Sequence, residues 1–153
     1  MNLHILAIGK KKSDYDPFIA EYQKRIGSPF TMSVEILEPL GIDHAAQCKQ
    51  KESEKLLTKL KSDDYVIALD ERGKDFTTVE FSKLIEKQLN ASTKRIVFVI
   101  GGAYGLDTIL LERAQLKVRL GAMTLPHELA RLVLSEQLYR ITNLLAGGKY
   151  HHE

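Results

Sequence analysis

Apolar residues fall in short blocks separated by longer stretches where they recur every three or four positions, the signature of alternating strands and helices. Leu3 to Ile8 predicts a first strand that ends at Gly9. Asp14 or Asp16 then caps a helix with Pro17 in its first turn, and Phe18, Ile19, Tyr22 and Ile26 form its core face before Gly27 stops it. Val34 to Leu37 predicts a second strand, closed by Pro39 and Gly41. A charged helix from about Asp43 to Leu60 follows, with Leu56, Leu57 and Leu60 as its contacts. Tyr65 to Leu69 is nearly all apolar, as in a strand buried on both faces, and is expected to end in a turn at Asp70 to Lys74. Thr77 and Glu80 match a capping box for a helix that runs through Phe81, Leu84, Ile85 and Leu89 to about Asn90.

The last third organises the rest. Ile96 to Ile100 predicts a buried strand, Gly101 to Gly105 a turn, and a helix begins near Leu106. A short strand from Leu116 to Leu120 leads to Gly121 through Pro126, then a long helix and the tail Tyr150-His151-His152-Glu153. This order predicts an α/β fold, a mainly parallel sheet with helices on both faces, in one domain over residues 1–153. In such sheets ligands bind outside the carboxyl ends of the strands, so two glycine-ended strands and the end of the third mark a candidate crevice.

A hydrophobic fraction of 44% and a charged fraction of 27% are those of an ordinary globular protein, and no apolar run approaches a membrane span. The opening residues lack a basic flank and long apolar region, so a cytoplasmic protein is expected. One cysteine, Cys48, cannot form an internal disulfide, and no Cys/His cluster has metal-ligand spacing, so no metal is expected. The net charge is only +2, but from Ala91 onward eight Lys/Arg face five Asp/Glu, so a polyanion contact is expected on the C-terminal half. Lys10 to Lys12 is expected to be a solvated loop.

The glycine turn is neither G-x-G-x-x-G nor a Walker A loop, so it does not support a dinucleotide or nucleoside triphosphate, and taken alone it reads equally as a tight strand-to-helix turn with no ligand. Asp70 and Glu71 are adjacent on an extended chain, point to opposite sides, and so cannot form one carboxylate dyad. Gly121 to Pro126 carries almost no ionisable side chain. A ligand there would be held by main-chain groups and by Met123 and Leu125, which suits a neutral heterocycle such as adenine. Pro126 opens the last helix, with Thr124 or Leu125 as cap. Along it His127, Arg131 and Ser135 fall on one line, as do Glu136 and Arg140, expected as an ion pair. No Ser/His/Asp or Cys/His set offers a nucleophile.

Val99-Ile100-Gly101-Gly102-Ala103-Tyr104-Gly105-Leu106, Met123-Thr124-Leu125-Pro126-His127, Glu136-Gln137-Leu138-Tyr139-Arg140 and the terminal Tyr150-His151 follow in order. This pattern resembles the RlmH family of SPOUT-class methyltransferases, which act on a pseudouridine N3 in 23S ribosomal RNA, and the resemblance spans the whole chain. It implies a C-terminal trefoil knot, a feature that general topology rules would not predict. It implies S-adenosylmethionine as cofactor, held by Leu69, Gly101, Gly102, Gly121, Ala122, Met123, Thr124, Leu125 and Pro126. The implied target lies in the loop of helix 69, on the 70S ribosome or large subunit, with a homodimer completing the site.

The reaction so implied is in-line attack by N3 on the sulfonium methyl, which requires alignment, desolvation and loss of the N3 proton. His127, His151 and Tyr150 are the candidates for that proton, and Arg140 is expected to hold RNA phosphate or polarise the base carbonyls. Relatives often carry Arg or Lys where this chain has His152, which predicts weaker RNA engagement at alkaline pH. Two other functions fit the residues: methylation of a ribose 2′-oxygen or another RNA base, and a non-enzymatic ribosome- or nucleotide-binding module.

Overall fold

The computed structural model describes residues 1–152. Five strands, β1 (Asn2–Ile8), β2 (Thr31–Leu37), β3 (Tyr65–Lys74), β4 (Arg95–Ile100) and β5 (Leu116–Val118), form one sheet in the order β2-β1-β4-β3-β5. Every adjacent pair is parallel. Parallel neighbours need crossovers, and these run through the helices α1 (Asp16–Arg25), α2 (Ala45–Leu57), α3 (Thr78–Asn90) and α4 (Thr108–Arg113), while α5 (His127–Leu145) follows the last strand. The fold is therefore the α/β arrangement expected from the sequence.

Alternation along the strands divides the core between two faces. Leu3, Ile5, Ile96 and Phe98 pack beneath Ile19 of α1, Ile85 of α3 and Leu138 of α5, whereas Leu6, Val66, Val97 and Val99 meet Leu56 of α2 and Leu110 of α4. Because both faces are covered, the central strands carry apolar residues on both sides.

Some boundaries differ from the sequence expectation for local reasons. β2 begins at Thr31 because its polar start is satisfied sideways: His4 Nδ1 lies 2.7 Å from Ser33 Oγ, directly across the β1–β2 register. α1 has Tyr15 at its N-cap without a side-chain cap, and the Asp16 carboxylate instead accepts from the Ser13 N–H at 2.9 Å. Phe18, assigned to the core face, is 60% exposed, while Ile19 is buried. The expected turn at Asp70 to Lys74 is a bulged continuation of β3: Leu69 and Lys74 both pair with Val118, and a Cβ on Gly73 would fall 2.5 Å from the Val118 carbonyl carbon. α4 starts at Thr108, capped by Asp107, rather than near Leu106. The Thr77–Glu80 capping box forms as expected, with reciprocal bonds of 3.2 and 2.8 Å. Among the described residues no helix is long and apolar enough to cross a membrane.

Candidate functional site

The carboxyl ends of β3, β4 and β5 open on one side of the sheet, and chain geometry there is set by glycine. Gly105 has φ +79° and its N–H donates to the Gly102 carbonyl at 3.0 Å, closing a tight turn. A Cβ on Gly101 would fall 2.6 Å from the Gly105 carbonyl carbon, so the turn can close only without a side chain there. α2 fastens the turn from below: the Asp107 N–H donates to Ser53 Oγ at 2.8 Å, and Ser53 is fully buried.

After β5, Arg119 is held by Asp75 at 2.7 Å and its N–H bonds to the Lys74 carbonyl. The chain then runs exposed through Gly121 to Thr124 and enters α5 at Pro126, which is itself the N-cap, rather than Thr124 or Leu125. Its carbonyl accepts from the Ala130 N–H at 2.8 Å.

These segments line an open cleft of ≈ 740 Å³ counting its mouth and the solvent in it. Leu69, Gly101 and Gly102 form one wall, and Gly121, Ala122, Met123, Thr124 and Leu125 the other. His127 stands at its edge, while Pro126 lines a neighbouring cavity instead. Met123, expected to cover a ligand, is 85% exposed. Two carboxylates stand at the rim, and one is committed: hydrogen bonds from Arg72 hold Asp70 below the usual carboxylate range, at 2.9 Å from its N–H and 3.0 Å from Nε. Asp70 is thus a loop organiser rather than an acid or base.

The other expected catalytic residues lie elsewhere. Arg140 is thirteen residues beyond His127 on the same helix, about 20 Å away at the helical rise. There Arg140 bonds Glu136 at 2.9 Å and its guanidinium carbon lies 4.7 Å from the centre of the Tyr150 ring. The tail folds back on α5: the Tyr150 N–H donates to Asn143 Oδ1 at 3.0 Å and its ring packs 4.8 Å from Tyr139, which in turn meets Tyr22 of α1. Burial first, then Tyr22 and Glu136, push the Tyr150 hydroxyl up, against an opposing effect of Arg140. Tyr150 is a neutral phenol at physiological pH. His151 is half-buried, and its Nδ1 has no partner among the described residues. The chain therefore brings His127 to the cleft but not Arg140, Tyr150 or His151.

Two buried residues here escaped the sequence reading. Arg131, noted only for its spacing, is 1% exposed, with one long bond of 3.4 Å to the Lys10 carbonyl. Glu52 of α2 is 2% exposed. Neither announces itself in sequence, because charged helix residues are ordinarily solvated.

A family model described as predicted SPOUT methyltransferase matches residues 1–151. The chain belongs to the SPOUT methyltransferase family. Proteins named ribosomal RNA large subunit methyltransferase H are similar to it from end to end. That of Anaeromyxobacter sp. is 43% identical over 155 residues, 99% of each chain. Those of Ligilactobacillus salivarius (40%, 99% of each) and Flavobacterium johnsoniae (39%, 100% of each) are comparable. The solved structure of a probable methylase family protein from Haemophilus influenzae shares the fold, with TM-score 0.58 and 17% identity over 99% of this chain and 70% of that one. A SPOUT methyltransferase needs a methyl donor, and the glycine-walled cleft offers main-chain groups and apolar side chains to one.

Proposed function

We propose that this protein transfers a methyl group from S-adenosylmethionine to N3 of a pseudouridine in helix 69 of 23S ribosomal RNA, on assembled ribosomes in the cytoplasm. What carries the reading is the glycine-walled cleft at the ends of β3, β4 and β5, in a chain similar over its full length to proteins named for ribosomal RNA methylation. The chain is a single SPOUT domain whose C-terminal segment forms the family's trefoil knot.

Bound in the cleft, S-adenosylmethionine supplies a methyl group activated on a sulfonium. Leu69, Gly101, Gly102 and the stretch Gly121 to Leu125 would hold it, while Pro126, expected among them, faces the neighbouring cavity; the missing side chain at Gly101 lets the Gly105 backbone close the turn that shapes this wall. Methyl transfer from a cation needs alignment and exclusion of water more than charged catalysts. His127, at the edge of the cleft, takes the N3 proton.

The distance along α5 supports a homodimer in which Arg140, Tyr150 and His151 of a second copy complete the cleft. Tyr150, a neutral phenol, stacks and orients rather than removes a proton. A loop base is accessible where a duplex base is not, and a chain of net charge +2 relies on several contacts of the ribosome rather than on naked RNA.

The decisive measurement is transfer of labelled methyl to ribosomes lacking the modification, followed by nucleoside analysis. N3-methylpseudouridine is the expected product. A ribose-methylated or other methylated nucleoside would replace the assignment. No transfer, together with no rise in melting temperature on adding S-adenosylmethionine, would leave a binding module.

A further inference from the structure

A second cavity adjoins the cleft. It lies over the carboxyl ends of β2, β1 and β4, measures ≈ 940 Å³ counting its mouth, and shares Gly102 and His127 with the first. The chain leaves β1 toward β2 through α1 on one face and leaves its neighbour β4 toward β5 through α4 on the other, so connections diverge between these two strands, the place where open α/β sheets receive ligands.

Glu52 of α2 lines this cavity. Its Oε1 accepts from the Leu40 N–H at 3.2 Å, but its buried Oε2 has no hydrogen-bond partner among the described residues. A methyl on Gly102 would collide with Oε2, so the carboxylate lies against the wall common to both cavities. The neighbouring Cys48 thiol is pushed up by burial, then by the charge of this carboxylate and by an S–H contact with it, so it stays uncharged; a thiol is a weak donor and leaves Oε2 itself without a hydrogen bond. A buried acceptor left without a donor is costly and uncommon, and a ligand donor at this seam would satisfy it.

Building on the RNA methyltransferase reading, we propose that the acceptor base lies in the β2-β1-β4 cavity and donates a ring N–H to Glu52 Oε2, which makes Glu52 the specificity residue for pseudouridine over uridine. The two bases share an N3 between two carbonyls. They differ in that pseudouridine, joined to ribose through carbon, keeps an N1–H at the position where uridine presents a C–H. A carboxylate aimed there is satisfied by one and left unpaired by the other. Sites built on a hydrogen bond to a substrate N–H reject the analogue lacking it by up to about 10⁴-fold.

The test uses reconstituted large subunits carrying pseudouridine, uridine or N1-methylpseudouridine at the acceptor position. For the wild-type protein, kcat/KM should be at least a hundredfold higher with pseudouridine than with the other two, and Glu52→Gln should narrow the pseudouridine-to-uridine ratio at least tenfold. The variant's fold is checked by its melting-temperature rise with S-adenosylmethionine, and should it not fold, the wild-type substrate series decides alone. Equal rates on pseudouridine and uridine, or an unchanged ratio in the folded variant, would overturn the role of Glu52 while leaving the methyltransferase intact. Absence of transfer to any of the three by cofactor-bound protein would instead defeat the reading on which this one rests.

Discussion

Arg140 lies over the ring of Tyr150, its guanidinium carbon 4.7 Å from the ring centre, while Glu136 holds the same guanidinium from the preceding turn. This cluster is preorganised for contact with a planar, anionic partner, yet it stands about 20 Å of helix from the cleft it is expected to serve. Subunit mixing tests whether a second copy bridges that gap. A Gly101→Val protein lacks the cleft and a Tyr150→Ala protein lacks the tail, and each alone should be inactive. In an equimolar mixture after subunit exchange, half the dimers are mixed and each holds one intact pairing, so about a quarter of wild-type activity should return. No recovery would place cleft and tail in one chain.

Tyr150 should tolerate loss of its hydroxyl better than loss of its ring. Because burial raises its hydroxyl, Tyr150→Phe should keep methyl transfer within about tenfold of wild type, short of the 10²–10⁴ typical of losing a general base. Tyr150→Ala should fall much further, as should a chain truncated after Lys149, both with unchanged affinity for S-adenosylmethionine by calorimetry. Loss of cofactor binding in the truncation would assign the tail to the cleft rather than to the RNA.

Gly101→Ala places a methyl 2.6 Å from the Gly105 carbonyl carbon, inside van der Waals contact with backbone that cannot rotate away. The turn must open, at a cost of about 2 kcal/mol of stability. The stabilisation normally produced by the cofactor in thermal melts should disappear.

Asp64 is the structural counterpart of these site residues. It is 4% exposed and takes two bonds from Arg95, at 2.7 and 2.5 Å. Burial opposes its charge, but those bonds and one from the Lys61 N–H prevail and hold its carboxyl below the ordinary range. Asp64→Asn leaves Arg95 without its partner and should cost about 3 kcal/mol in denaturant unfolding at neutral pH. A depressed carboxylate contributes fully above its unfolded pKa, so the gap between wild type and variant should shrink only as the pH falls below about 4.

His4 should make the fold sensitive to milder acid than Asp64 does. Burial first, and Arg95 second, lower its pKa, so the folded protein keeps it neutral while the unfolded chain protonates near 6.5. Stability from this group is complete above that value and declines as the pH drops through it. Melting temperature should fall between about pH 7 and pH 5.5 in the wild type, and less steeply in His4→Gln. Equal slopes would remove His4 from the account.

Most elements, the Thr77–Glu80 cap and the cleft's glycines were legible in the sequence because their causes are local, whereas the caps of α1 and α5 fell on Tyr15 and Pro126 instead of the residues expected. Alternation along a strand, a Thr–Glu pair three residues apart, and glycine where a chain must turn are all short-range. Gly101, Gly102 and the neutral stretch from Gly121 were recognisable for that reason. Phe18 shows the limit: helical spacing put it on the core face, but α1 meets the sheet and α5 through Ile19, and no neighbour reaches the other side. Met123 likewise reads as an apolar cover and stands in solvent.

By itself the sequence determined which segments are strands and helices and which turns must be glycine, since those follow from backbone sterics and side-chain burial within a few residues. Only the tertiary structure decided the order β2-β1-β4-β3-β5, the place of Glu52 against Gly102 fifty residues away, and the separation of Arg140 from the cleft. These depend on which surfaces far apart in the chain exclude water together, and periodicity along a single segment contains no information about that choice.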